Sequence, residues 1–189
     1  MPRPVLGRLR SRRISEAPLG SPLRLAAAVA VTLAASCSFV DSDRSPSTVV
    51  IGLLSDPATL DAARATDARA RCVATVQRRR GPYVVREWVR GDHLTFAVNP
   101  AYAGAAPLYR TVIFRMIPDP ATEVLAIEKR DVSALLGARP DDLAALAQRP
   151  DLRIIRAACG NVPLVVSNSI AGIVPSRDGT LHVELWHPQ

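Results

Sequence analysis

Lysine is nearly absent from this chain: Lys129 is the only one among 24 basic residues, and the rest are arginine. That bias follows genome composition rather than phosphate recognition. Aromatic residues make up 4% of the sequence. So low a content leaves no basic, aromatic-interleaved surface for stacking nucleic-acid bases, and it obliges the core to be built from Ala, Val, Leu and Ile. Cysteine is limited to Cys37, Cys72 and Cys159. None falls in a CxxC or Cys/His spacing, so the usual zinc patterns are missing. His93, His182 and His187 are scattered. No serine-nucleophile elbow, paired-carboxylate site, phosphate loop or metal cluster is readable. The chain therefore reads as no enzyme, with no catalytic residue, no metal and no cofactor.

Long apolar runs are lacking too. The run Leu25–Ala35 is well short of the ~20 residues that a membrane-crossing helix needs. It suits a signal-peptide core, because an arginine-rich segment precedes it and small residues follow. The net charge of +7 has the same origin. Arg3, Arg8, Arg10, Arg12, Arg13 and Arg24 precede Cys37 and Glu16 is the only acid there, so the remainder carries about +2. The basicity belongs to the leader, and no nucleic-acid partner is expected. Leu33-Ala34-Ala35-Ser36-Cys37 resembles a bacterial lipobox, in which Cys37 becomes the lipid attachment point. Ala34 stands where such sites favour leucine. The Ser/Asp/Pro-rich stretch after Cys37 reads as a flexible tether. The expected organisation is a signal peptide over 1–36, a lipidated tether over 37–48 and one α/β domain over 49–189. Cys72 and Cys159 are expected as buried or free thiols, with their pairing in an oxidising compartment as the alternative.

With 48% hydrophobic residues the mature part can bury a core. Ser47–Leu54 is a β-branched apolar run and reads as a first strand. Leu60–Gln77 has helix-forming composition with a weak apolar face. Tyr83–Val89 and Leu94–Val98 read as a hairpin around Gly91-Asp92, with His93, Thr95 and Ala97 alternating against Leu94, Phe96 and Val98. Asn99-Pro100 ends it, and Tyr109–Ile117 is a third strand. Pro118-Asp119-Pro120 then opens a helix: Asp119 caps free amides and Pro120 lacks the amide that would go unpaired. Val124, Leu125 and Ile127 are expected on its apolar side. A second helix is expected over Pro140–Gln148, with Leu143, Leu146 and Ala147 spaced for one face. Leu152–Arg156 and Val162–Val166 read as strands around Cys159-Gly160-Asn161, and Leu181–Leu185 as a last strand. The alternation gives a mixed α/β fold.

These pieces, in this order, resemble the bacterial extracellular solute-binding proteins of family 5, the peptide/nickel type of ABC importers. Val49–Leu54, Ser55-Asp56-Pro57 and Leu60-Asp61 match the family's opening strand and the step after it. Thr66-Asp67 fits its continuation. Gly81-Pro82-Tyr83, Trp88, Gly91, and Asn99-Pro100 with Tyr102 match its central module. Gly104, Pro107, Arg115, Pro118 and Asp119 follow in register, and Ala171–Pro175 and Gly179–Trp186 resemble its C-terminus. The departures are Arg79-Arg80 before Gly81, Ala103 after the turn tyrosine, and Arg130 and Ser133 where the first helix closes. Family chains are several times longer, with material missing here near Gln77-Arg78 and between about Asn168 and Ala171.

The resemblance implies a partial lobe of a class II periplasmic-binding-protein fold, a mixed sheet with flanking helices. It implies an extracytoplasmic, lipid-anchored component that binds a peptide or other small solute and works with ABC permease subunits. It leaves the ligand-binding residues unassigned. Trp88 and Tyr102 read as packing residues rather than ligand contacts, since aromatics in strands usually fill cores. The competing expectation is an exported remnant that binds nothing.

Overall fold

The computed structural model describes residues 45–78, 80–158, 162–173 and 180–189. Their centre is a seven-stranded mixed sheet of order β2-β3-β4-β1-β5-β7-β6. Strand β1 (Thr48–Leu53) runs parallel to both β4 (Thr111–Met116) and β5 (Ala134–Leu136). Every residue of β1 after Thr48 is buried, as a strand covered on both faces requires. Strands β2 (Tyr83–Val89) and β3 (His93–Val98) form the expected hairpin, and β3 lies antiparallel to β4. On the other side β7 (Val162–Ser167) is antiparallel to β5 and to the edge strand β6 (Leu152–Ala158).

Alternation along the strands divides the core in two. One face gathers Val49, Ile51, Leu53, Leu94, Phe96, Phe114 and Val166 in one cluster with Cys72, Val73 and Val76 of helix α1 (Ala68–Val76) and with Trp186. Phe96 and Phe114 meet edge to face at 5.8 Å, the geometry that ring quadrupoles favour. The other face gathers Val50, Ile113, Leu135 and Val165 with Ala126 and Ile127 of α2 (Pro120–Glu128) and Leu143 and Leu146 of α3 (Pro140–Leu146). The fold is thus α/β, a mixed sheet with helices on both faces.

Several elements differ from expectation, each for a physical reason. Helix α1 begins at Ala68 rather than Leu60, because the Asp67 carboxylate accepts from the Arg69 and Ala70 amides and caps it there. Helix α2 turns Glu123, Ala126 and Ile127 inward and leaves Leu125 48% exposed. Its phase is set at the N-terminus, where Asp119 Oδ2 accepts from the Thr122 amide at 2.7 Å. Helix α3 ends at Leu146, and Ala147 is exposed. The central strand β5 has no sequence signature, being three residues long. The last expected strand is a 3-10 turn over Val183–Leu185 instead. Val183 and Trp186 are both buried. Positions three apart eclipse in such a turn, whereas a strand would point them to opposite faces. A small two-stranded sheet of β8 (Ile170–Ala171) and β9 (His187–Pro188) flanks it.

Cys72 is not a free thiol. It is fully buried and disulfide-bonded, the form that an oxidising compartment permits. The other two cysteines, Cys37 and Cys159, lie outside the described residues, as do the leader, most of the tether and the Cys159-Gly160-Asn161 turn.

Candidate functional site

The local motifs converge on the hairpin. Asp56, in the Ser55-Asp56-Pro57 step after β1, accepts from Trp88 Nε1 at 3.0 Å and from the Gly91 amide at 3.1 Å. Arg90 donates to the Pro57 carbonyl at 2.9 Å, and its guanidinium lies 3.5 Å from the centre of the Trp88 ring, within cation–π range. At the far end Asn99 holds the chain from both sides. Its Nδ2 donates to the Gly81 carbonyl at 2.8 Å and its Oδ1 accepts from the Ala101 amide at 3.0 Å. Gly104 admits Tyr102, since a Cβ there would stand 2.4 Å from the ring. Trp88 packs against the first core cluster and Tyr102 is half-buried.

These contacts hold rigid a sheet face whose opposite side is the aromatic core. On that core side lie Leu94, Phe96 and Phe114. On this side, cross-strand register sets His93 beside Arg115, Thr95 beside Ile113 and Glu87, and Thr111 beside Thr48. A bulge between Val85 and Glu87 inserts Arg86 out of register, a device that re-aims side chains. The result is a groove of about 560 Å³ lined by Thr48, Arg86, Glu87, Asp92, His93, Thr95, Thr111, Ile113 and Arg115.

His93 is its electrostatic centre. Nδ1 lies 2.8 Å from Asp92 Oδ2 and Nε2 lies 3.5 Å from Glu87 Oε2. The hydrogen bond to Asp92 raises its pKa above the usual value; burial opposes this and Glu87 adds to it. Arg86 and Arg115 supply the opposite sign. A groove with guanidinium groups and carboxylates on stiff strands can receive a solute that carries both charges. Among the described residues no group of three or more His, Cys, Asp and Glu side chains could hold a metal ion. His182 pairs with Glu184 at 2.8 Å and His187 is exposed, so the three histidines do not converge.

The sequence alternation sets His93 against Leu94, Phe96 and Val98, and Arg115 is legible there only as a family position. Alternation along β3 and β4 is the signal for this face. Arg86 carries no such signal, because the bulge breaks the period.

Residues 50–171, from β1 through β8, match the family model described as bacterial extracellular solute-binding proteins, family 5 Middle. The chain belongs to that family. Family 5 relatives include the probable D,D-dipeptide-binding periplasmic protein DdpA of Escherichia coli K12, 28% identical over 99 residues. That match covers 52% of this chain and 19% of DdpA. The nickel-binding periplasmic protein of the same organism is 31% identical over 74 residues, 37% of this chain and 14% of its own length. Among solved structures, NikA from Brucella suis in complex with Fe(III)-EDTA is 26% identical, with TM-score 0.37, over 40% of this chain and 16% of that one. Helicobacter pylori DppA with the peptide STSA is 21% identical, with TM-score 0.38, over 41% and 15%. The chain spans less than a fifth of the length of the family 5 relatives it matches.

Proposed function

We propose that this chain is a shortened solute-binding component of an ABC importer, taking short peptides or similar zwitterions in the groove over β2, β3 and β4. One observation carries the reading: a family 5 match across the whole sheet coincides with a groove that offers Arg86 and Arg115 alongside Glu87 and Asp92. The guanidinium groups suit a solute carboxylate and the acidic side suits its ammonium group. The protein would act outside the cytoplasm, since the relatives are named as periplasmic, with Cys37 as its lipid anchor and permease subunits as partners. It would bind and hand over its solute without transforming it.

Isothermal titration of the purified protein with a panel of di- and oligopeptides tests the reading. Saturable binding that weakens at least about tenfold in Arg86→Ala or Glu87→Gln is expected, the loss of one charge-assisted contact. A second reading, an exported remnant that binds nothing, is favoured by how little of the relatives' length the chain spans. Absence of saturable heat across the panel would establish that reading instead. The anchor is tested separately: labelled palmitate incorporation should vanish in Cys37→Ala, and its persistence would exclude Cys37.

A further inference from the structure

Glu123 lies in the first turn of α2 and is fully buried, yet neither of its carboxylate oxygens has a hydrogen-bond partner. Oδ2 of Asp142, in the first turn of α3, is buried and equally unpartnered. Orphaned oxygens of this kind are costly and call for a cause. Ala126 and Ile127 of α2 and Leu143 and Leu146 of α3 share one cluster on the same sheet face, and Asp142 is near enough to act electrostatically on Glu123.

The charged groups around Glu123 are few. Asp142 acts on it from α3 and Arg69 from α1. Arg69 lies along Gly137, where a Cβ would meet its Cδ at 2.4 Å, and stands 3.9 Å from Asp67. On α2 itself, Asp119 is engaged by the Thr122 amide and hydroxyl. Among the described residues no donor bonds to the Glu123 carboxylate. A proton on Glu123 resolves the arrangement, because a neutral carboxyl is a donor and Asp142 Oδ2 is a waiting acceptor.

We infer that Glu123 is held as a neutral acid donating to Asp142, forming a proton-dependent latch between the first turns of α2 and α3. Burial is the main cause that moves the Glu123 pKa up to about 7, with Asp142 adding to it and Arg69 opposing. Above that pH Glu123 is a buried anion under the influence of Asp142, with Arg69 as the compensating charge, and the latch releases. Helix α2 follows directly from β4, which carries Thr111, Ile113 and Arg115 of the groove. The latch stands whether or not the groove binds a solute.

The folded state binds this proton more tightly than the unfolded chain does. Its stabilising effect is complete below about pH 4.5 and is lost as pH rises through about 7. The test is calorimetric melting of the full chain across that window. His93 pulls in the same direction at higher pH, so the series is run in a His93→Gln background. The melting temperature should fall as pH rises, and E123Q should flatten the fall. A slope in E123Q equal to that of the parent overturns the latch. Two further readouts cover poor folding of E123Q. Asp142→Asn, whose amide can donate to an ionised Glu123, should weaken the slope. Difference infrared spectra at about pH 6 should show the carbonyl stretch of a protonated carboxylic acid. An unchanged slope in D142N or an absent stretch overturns the proposal.

Discussion

Trp88 Nε1 donates a 3.0 Å hydrogen bond to Asp56 Oδ1 across 32 positions of sequence. The contact joins the step after the central strand to the tip of the hairpin, and so fixes one end of the groove. The other oxygen of the same carboxylate receives the Gly91 amide.

Asp56→Ala removes both acceptors, together with the 3.6 Å ion pair to Arg90, and should lower stability by about 1–3 kcal/mol, most of it the cost of leaving the partly buried Trp88 donor unpaired. Asp56→Asn retains one good acceptor and should lose less. Urea denaturation followed by Trp fluorescence measures both, and an equal loss in the two variants would contradict the two-bond arrangement.

Two glycines with positive φ separate backbone strain from steric exclusion. Gly91 has φ 77° with nothing near a would-be Cβ, while at Gly172, φ 72°, a Cβ would meet the Leu185 carbonyl oxygen at 2.1 Å. Gly91→Ala should therefore cost about 1–2 kcal/mol, the ordinary left-handed penalty. Gly172→Ala should cost more, because backbone must move as well. Thermal melting of the pair should rank them in that order.

Reduction should destabilise the protein. The buried Cys72 is disulfide-bonded, and losing a native disulfide costs about 2–4 kcal/mol. Dithiothreitol should lower the melting temperature of the wild type and leave that of Cys72→Ser unchanged. Equal melting of the wild type with and without reductant would refute this.

His93 should titrate above its usual pKa, because Asp92 and Glu87 both favour the imidazolium. The stability it contributes is present at low pH and is lost as pH rises through its folded-state pKa. Asp92→Asn should bring the imidazole back towards about 6.5. An NMR titration of the ring protons reads this directly, and an unmoved midpoint would show that Asp92 is not the main cause.

Much of this architecture is legible from short-range chemistry. The hairpin shows in the alternation of Leu94, Phe96 and Val98, and the start of α2 shows in Pro118-Asp119-Pro120, because pleating and capping each act over a few residues. Strand β5 is illegible: Ala134–Leu136 is too short for a period; β1 and β7 pair its backbone, and its burial comes from the clusters packed on both sheet faces. The early start expected for α1 failed because composition favours helix throughout Leu60–Gln77, while the Asp67 cap decides where it begins. The groove was legible only as an alternation along the strands, since its arginines and carboxylates come from β2 with its bulge, the hairpin turn and β4.

By itself the sequence determined the family resemblance, the β2-β3 hairpin and the Asp119 cap of α2, since each shows in residues close together along the chain. Only the tertiary structure decided which sheet face carries a polar groove, that Leu125 is exposed, and that Glu123 is buried beside Asp142. Burial and charge environment depend on what packs across a face, and those partners are supplied by segments tens of residues away.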